Sequence, residues 1–95
     1  MAIEFRDKSL ALVETSRAAE TQLPISVINS LRNKLVVIRA APDERTLRNW
    51  KSLHYEKMEG AERSIRINKQ YRLIFTLETE TKPNKMTILR VWNHN

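Results

Sequence analysis

Between Ser64 and Phe75 the chain reads SIRINKQYRLIF, and its apolar residues fall on every second position. Ile65 and Ile67 alternate with Ser64, Arg66 and Asn68; Tyr71, Leu73 and Phe75 alternate with Arg72 and Thr76, and Ile74 alone is out of phase. A period of two marks half-buried strands, and two such runs about a short polar centre make a hairpin. Both apolar sets reach one face if Ile67 lies opposite Tyr71 and Ile65 opposite Leu73, across the three-residue loop Asn68-Lys69-Gln70. The same register sets Arg66 directly against Arg72 on the polar face. Like charges opposed across a ladder are destabilising, so a sheet that keeps such a pair implies a use for it.

The flanking segments complete an α+β chain. AIEF near the start reads as a short strand, and Asp7 is placed to cap a helix through KSLALVET. Pro24 opens the longest periodic segment, PISVINSLRNKLVVIRAA, in which Val27, Leu31, Leu35 and Ile38 form one apolar face with Arg32 and Arg39 pointing away. Pro42 ends it, and Asp43 can cap a further short helix, ERTLRNW. KSLHYEKM then reads as a weak strand, with Leu53, Tyr55 and Lys57 on one side and His54, Glu56 and Met58 on the other. Gly60 begins a turn, the hairpin follows, and the polar ETETKPN connects it to a last strand, KMTILRVW. The order is a strand, two or three helices, then four strands. Tight hairpins make the sheet mainly antiparallel, with the helices packed on one face of it and the arginines on the other. Ninety-five residues suit one domain, 1–95, with one modest core.

Charge narrows the choice of partner. The net charge is +6, and residues 31–72 account for all of it, with eleven Lys or Arg against five acids. A basic stretch of this kind favours nucleic acid or an acidic protein, and anionic lipid ranks last because nothing resembles an amphipathic anchor. There is no cysteine, and only His54 and His94 offer imidazoles, too few for a typical zinc site; no metal and no cofactor is expected. The first eight residues lack the apolar run of a signal peptide, and LVVI at 35–38 is far too short to span a bilayer, so the expectation is a cytoplasmic protein.

KSLHYEKMEG followed by SIRINKQYRLIF, on a basic chain of this length, resembles the HigB branch of the RelE/ParE toxin superfamily, the toxins of type II toxin–antitoxin pairs. The likeness is specific over residues 51–77 and weaker at IEFRDKSL and DERTL. The family's form reads K-S-L-H-F-E-K-L-K-G, a basic loop, then S-I-R-I-N-D-Q-W/Y-R-L-I-F. The resemblance implies a RelE-like (microbial RNase-like) fold and a bacterial endoribonuclease that enters the ribosomal A site and cuts mRNA. It also implies a helix-turn-helix antitoxin, HigA-like, that neutralises the toxin and binds operator DNA.

Attack of a 2′-hydroxyl on the adjacent phosphate passes through a phosphorane with extra negative charge. Two opposed guanidiniums could hold its oxygens, their repulsion relieved only when the anion arrives. Arg66 and Arg72 are therefore the first catalytic candidates. The resemblance adds His54 for proton transfer and Lys57 for charge stabilisation, although Lys57 sits three residues on and needs a bulge to share a strand face with His54. Arg63, Asn68, Lys69 and Gln70 are read as RNA-positioning contacts. At the carboxyl end the family finishes V-D-Y-H, whereas this chain has VWNHN. His94 matches the histidine; Trp92 stands for the aspartate and can stack on an unpaired base, and Asn93 stands for the tyrosine. The loop after Gly60 is also shorter than the family's.

Two other readings stay open. A ParE-like, non-enzymatic DNA gyrase inhibitor would not need His54 or Lys57. A degenerate toxin fold that only binds its antitoxin would not arrest growth when produced alone.

Overall fold

Pro24 and Pro42 bracket the helix that the apolar spacing requires. In the computed structural model, which describes residues 1–93, helix α1 spans Ile25–Ala40. The Pro24 carbonyl accepts from the Val27 and Ile28 amides, and a proline before the first turn lacks only an N–H that the helix would not use. Val27, Leu31, Leu35 and Ile38 are each at most 1% exposed and form the face turned to the sheet. A second helix, α2 (Glu44–Asn49), begins at Asp43, whose carboxylate accepts from the Arg45 amide at 3.0 Å.

Five strands follow the expected order: β1 (Ala2–Phe5), β2 (Glu56–Lys57), β3 (Arg63–Arg66), β4 (Tyr71–Glu78) and β5 (Lys85–Asn93). They form one sheet in the order β1-β5-β4-β3-β2, with β1 parallel to β5 and every other pair antiparallel. The helices carry the chain from β1 at one edge of the sheet to β2 at the other, and the antiparallel run β2–β5 then brings β5 back beside β1 in parallel. Ile65 pairs with Leu73 and Arg66 with Arg72, while the Ile67 amide donates to the Tyr71 carbonyl at 2.9 Å. This is the hairpin register that the alternation demands. Ile65, Leu73, Phe75, Met86 and Ile88, none of them exposed, meet α1 on one face.

One irregularity re-aims the end of β5. Ile74 pairs with Arg90 but Phe75 pairs with Ile88, so Leu89 is an extra residue in the ladder. Strict alternation would put residues 86, 88, 90 and 92 on one face. The bulge shifts the phase: Val91 packs towards the core and Arg90 and Trp92 turn to the opposite face.

Two segments depart from the sequence reading. Residues 7–21 form no α-helix but two 3-10 turns, Leu10–Glu14 and Ala18–Thr21. The Asp7 carboxylate accepts from the amide and hydroxyl of Ser9 (2.9 and 2.6 Å), a local turn that competes with helix capping. Arg32 does not point away; its Nε and Nη2 donate to the Val13 and Thr15 carbonyls at 2.6 and 2.7 Å, supplying partners that an α-helix would have supplied itself. Likewise KSLHYEKM is a strand only at Glu56–Lys57. Lys51–Leu53 is a 3-10 turn, and His54 adopts the left-handed conformation (φ 46°, ψ 55°). Among the described residues no helix is long and apolar enough to cross a membrane.

Candidate functional site

The pleat sends Ser64, Arg66, Arg72, Ile74, Arg90 and Trp92 to the face away from α1. Arg66, Arg72 and Trp92 are direct neighbours across β3, β4 and β5, so one row of this face runs guanidinium, guanidinium, indole. His54 lies outside the β2 ladder, but its carbonyl accepts from Arg72 Nη2 at 2.6 Å, which sets the His54 turn beside that row at Arg72. The sheet thus brings together four of the residues singled out from sequence: His54, Arg66, Arg72 and Trp92.

The two arginines are not equivalent. Arg72 is only 5% exposed. Its Nε donates to Ser64 Oγ at 2.9 Å and its Nη2 to the His54 carbonyl at 2.6 Å, so the forked edge that grips a phosphate is occupied inside the protein. Glu56 Oε1 lies 3.8 Å from the same Nη2, on a side chain that is itself largely exposed. The carboxylate offsets part of the Arg66–Arg72 repulsion. The Arg66 guanidinium, by contrast, makes no hydrogen bond or ion pair with another described residue, and its Nε is buried without an acceptor. Leaving a buried donor unsatisfied costs about 1–3 kcal/mol. Arg63 Nε is buried without an acceptor in the same way; what sets Arg66 apart is the like charge directly opposite it, which a bound anion would offset.

The remaining candidates fall elsewhere. Lys57 pairs with Arg63, which pairs with Phe75, so both cations belong to the helix side of the pleat. The bulge that would return Lys57 to the His54 face is absent from β2, where the ladder runs in register to Lys57. Arg63 Nη1 donates to the Glu62 carbonyl at 3.2 Å. Asn68 builds its own loop: its Oδ1 accepts from the Gln70 and Tyr71 amides, both at 2.9 Å. Lys69 and Gln70 are exposed at the loop tip. Asn93 Nδ2 reaches Tyr71 Oη at 3.5 Å, beside Trp92, which is 45% exposed. His94 lies outside the described residues.

Tyr55, which sequence reasoning treated only as an apolar strand position, anchors the segment that carries His54. Its ring packs edge-on to Phe75 with centroids 6.2 Å apart, and the Arg48 guanidinium lies 4.7 Å over its other side. Its hydroxyl donates to Glu44 Oε2 at 2.5 Å, and Arg48 Nη2 donates to the same oxygen at 3.1 Å. Burial, with the Glu44 carboxylate second, pushes the Tyr55 phenol up to about 12. The phenolic hydrogen bond holds Glu44 below the ordinary carboxylate range, and Arg48 adds to it. The only sequence signal for this anchor was the aromatic at a core-facing position.

Two clefts lie away from this row. One, of about 590 Å³, sits between the start of α2 and the β4–β5 connection, lined by Pro42, Arg45, Lys82 and Pro83 among others. The other, of about 410 Å³, lies between α1 and the first 3-10 turn, at Glu14, Arg32 and Val36. Among the described residues, no three His, Cys, Asp or Glu side chains gather into a set able to hold a metal ion.

Residues 3–88 match the family described as the RelE-like toxin of type II toxin-antitoxin system HigB. The chain belongs to the HigB-like toxins. Toxin HigB-1 of Vibrio cholerae serotype O1 is 38% identical over 94 residues, spanning 90% of this chain and 99% of the relative. A solved structure titled YoeB/ParE toxin from Agrobacterium tumefaciens superposes along the whole of both chains with a TM-score of 0.58 at 13% identity. That similarity shows the fold, which is RelE-like. The toxin therefore has an antitoxin as a partner, and the row of Arg66, Arg72 and Trp92 lies on the sheet face opposite α1, with the His54 carbonyl bound to Arg72.

Proposed function

We propose that this toxin is a ribosome-dependent endoribonuclease that cuts mRNA in the A site, acting as a single domain, 1–95, in the bacterial cytoplasm. The observation that carries the reading is the Arg66 guanidinium, without a hydrogen-bond or ion-pair partner among the described residues and opposed to Arg72, which neighbours Trp92 and binds the His54 carbonyl. In the reaction the 2′-oxygen bonds to phosphorus and the 5′-oxygen leaves, giving a 2′,3′-cyclic phosphate and a 5′-hydroxyl. The nucleophile is internal to the RNA, so the chemistry asks for proton transfer and charge stabilisation rather than an activated water. Arg66 supports the charge that develops on the phosphoryl oxygens. His54 and His94 are the proton-transfer candidates, one taking the 2′-hydroxyl proton and the other supplying the leaving 5′-oxygen. Trp92 offers a stacking surface to an unpaired base next to the scissile bond. Lys57, Arg63, Lys69 and Gln70 lie off the row and suit contacts to the RNA or ribosome backbone. A HigA-like helix-turn-helix protein is the proposed antitoxin.

The decisive measurement is cell-free translation with purified toxin, mapping mRNA 5′-ends at codon resolution. New ends within the A-site codon, lost in the Arg66→Ala variant, are expected. Intact mRNA together with blocked DNA supercoiling by gyrase would overturn the proposal in favour of a non-enzymatic inhibitor.

A further inference from the structure

Ser64 takes no part in the chemistry just described, yet it is 1% exposed in the middle of β3, between Glu56 and Ile74 in the ladder. Its hydroxyl accepts from Arg72 Nε at 2.9 Å, while Arg72 Nη2 donates to the His54 carbonyl at 2.6 Å. A surface phosphate ligand would need neither acceptor. A strut needs both: the two N–H groups along one guanidinium edge are coplanar and rigid, so fixing one acceptor dictates where the other must lie. What the strut holds is unusual. His54 is one of two non-glycine residues with positive φ among those described, and such a conformation lasts only where its surroundings enforce it. The His54 amide is tied back to the Lys51 carbonyl at 3.1 Å, and the next residue, Tyr55, is fixed by Glu44 and Phe75. Arg72 adds a third tie, on the His54 carbonyl itself.

We infer that Ser64 and Arg72 form a positioning pair, setting the left-handed turn from which the His54 side chain projects, and that Arg66 alone of the opposed arginines serves as the phosphate ligand. The catalytic consequence rests on the proposed nuclease reading; the turn-setting role does not. Full-length toxin labelled for NMR tests the pair as wild type, Ser64→Ala, Ser64→Thr, Arg72→Lys and Arg66→Ala. In Ser64→Ala and Arg72→Lys the His54 Cα shift should leave its left-handed value, and its amide should exchange at least about tenfold faster. Ser64→Thr, which keeps the hydroxyl, should restore the wild-type signals, and Arg66→Ala should not disturb them. In translation assays Ser64→Ala should lower kcat about tenfold with KM within about twofold. Unchanged His54 signals in folded Ser64→Ala and Arg72→Lys proteins would overturn the inference, as would a KM rise at constant kcat. A wild-type toxin that cuts no mRNA sinks the nuclease reading, while the shift and exchange data still decide the strut.

Discussion

At the scale of single residues, two arginines opposed in one ladder pair divide the work between holding and binding. Arg72 behaves as a buried hydrogen-bonded group, and removing it strands Ser64 Oγ and the His54 carbonyl. Arg66 carries an unmet donor and a like-charged neighbour. Opposite stability effects follow. Arg72→Ala should lower stability by about 1–3 kcal/mol, which for a chain of this size is a Tm drop of several degrees. Arg66→Ala should leave Tm unchanged or raised while abolishing toxicity. Thermal unfolding of both variants, paired with growth after induction, checks this; equal Tm losses would contradict it. The Tyr55–Glu44 pair gives a pH signature. Glu44 holds its proton less tightly when folded, so its contribution is present above the ordinary carboxylate value and fades as pH falls through the lowered one. Tyr55 holds its proton more tightly when folded, so its contribution is complete below about 10 and fades as pH rises to about 12. Tyr55→Phe should remove the alkaline loss and shrink the acid one, and denaturant unfolding across pH would reveal it. Superimposable profiles for the two proteins would refute the pairing.

At the scale of elements, what the sequence made legible was whatever depended on periodicity alone. The hairpin register, α1 and its buried face, the short α2 behind Asp43 and the sequence of strands along the chain all follow from apolar spacing and from capping residues, whereas the parallel pairing of β1 with β5 does not. What was not legible depended on side chains meeting backbone from distant segments. KSLALVET has helical composition, yet Arg32 supplies donors to its carbonyls from 19 and 17 residues away and leaves it as a 3-10 turn. The His54 turn exists because Arg72 reaches it from 18 residues downstream, which no local pattern announces. The bulge at Leu89 is equally silent in KMTILRVW, yet it decides that Trp92 shares a face with Arg72. Of the site, the Arg66–Arg72 opposition was readable from alternation. The unequal roles of the arginines were not. One consequence belongs at this scale: Arg32→Ala should strip the Val13 and Thr15 carbonyls of their donors and loosen the segment from Leu10 to Thr21 as a unit. Hydrogen exchange should rise across that segment with little change in β3 and β4, and exchange confined to residue 32 would contradict it.

For the molecule as a whole, the placement of charge converts the fold into a prediction about binding. The net charge of +6 sits between residues 31 and 72, but several of those cations already have protein partners. Arg39 is paired with Glu14, Arg48 with Glu44, and Arg72 lies 3.8 Å from Glu56 and is otherwise internal. Only cations that meet phosphate in the complex release counterions on binding, so the salt dependence of affinity counts contacts rather than charges. Each contact to single-stranded RNA steepens the slope of log affinity against log salt by about 0.7. Removing Arg66 should therefore flatten the slope by about that amount, as a lost phosphate contact does. Removing Arg72 by Arg72→Met, which keeps much of the buried stem, should leave the affinity within about twofold and the slope where it was. Titrations of a fluorescent RNA oligonucleotide against each protein across a range of KCl concentrations would separate the two. Equal flattening by both variants would mean that both guanidiniums reach phosphate, and the distinction between a holding arginine and a binding one would have to be abandoned.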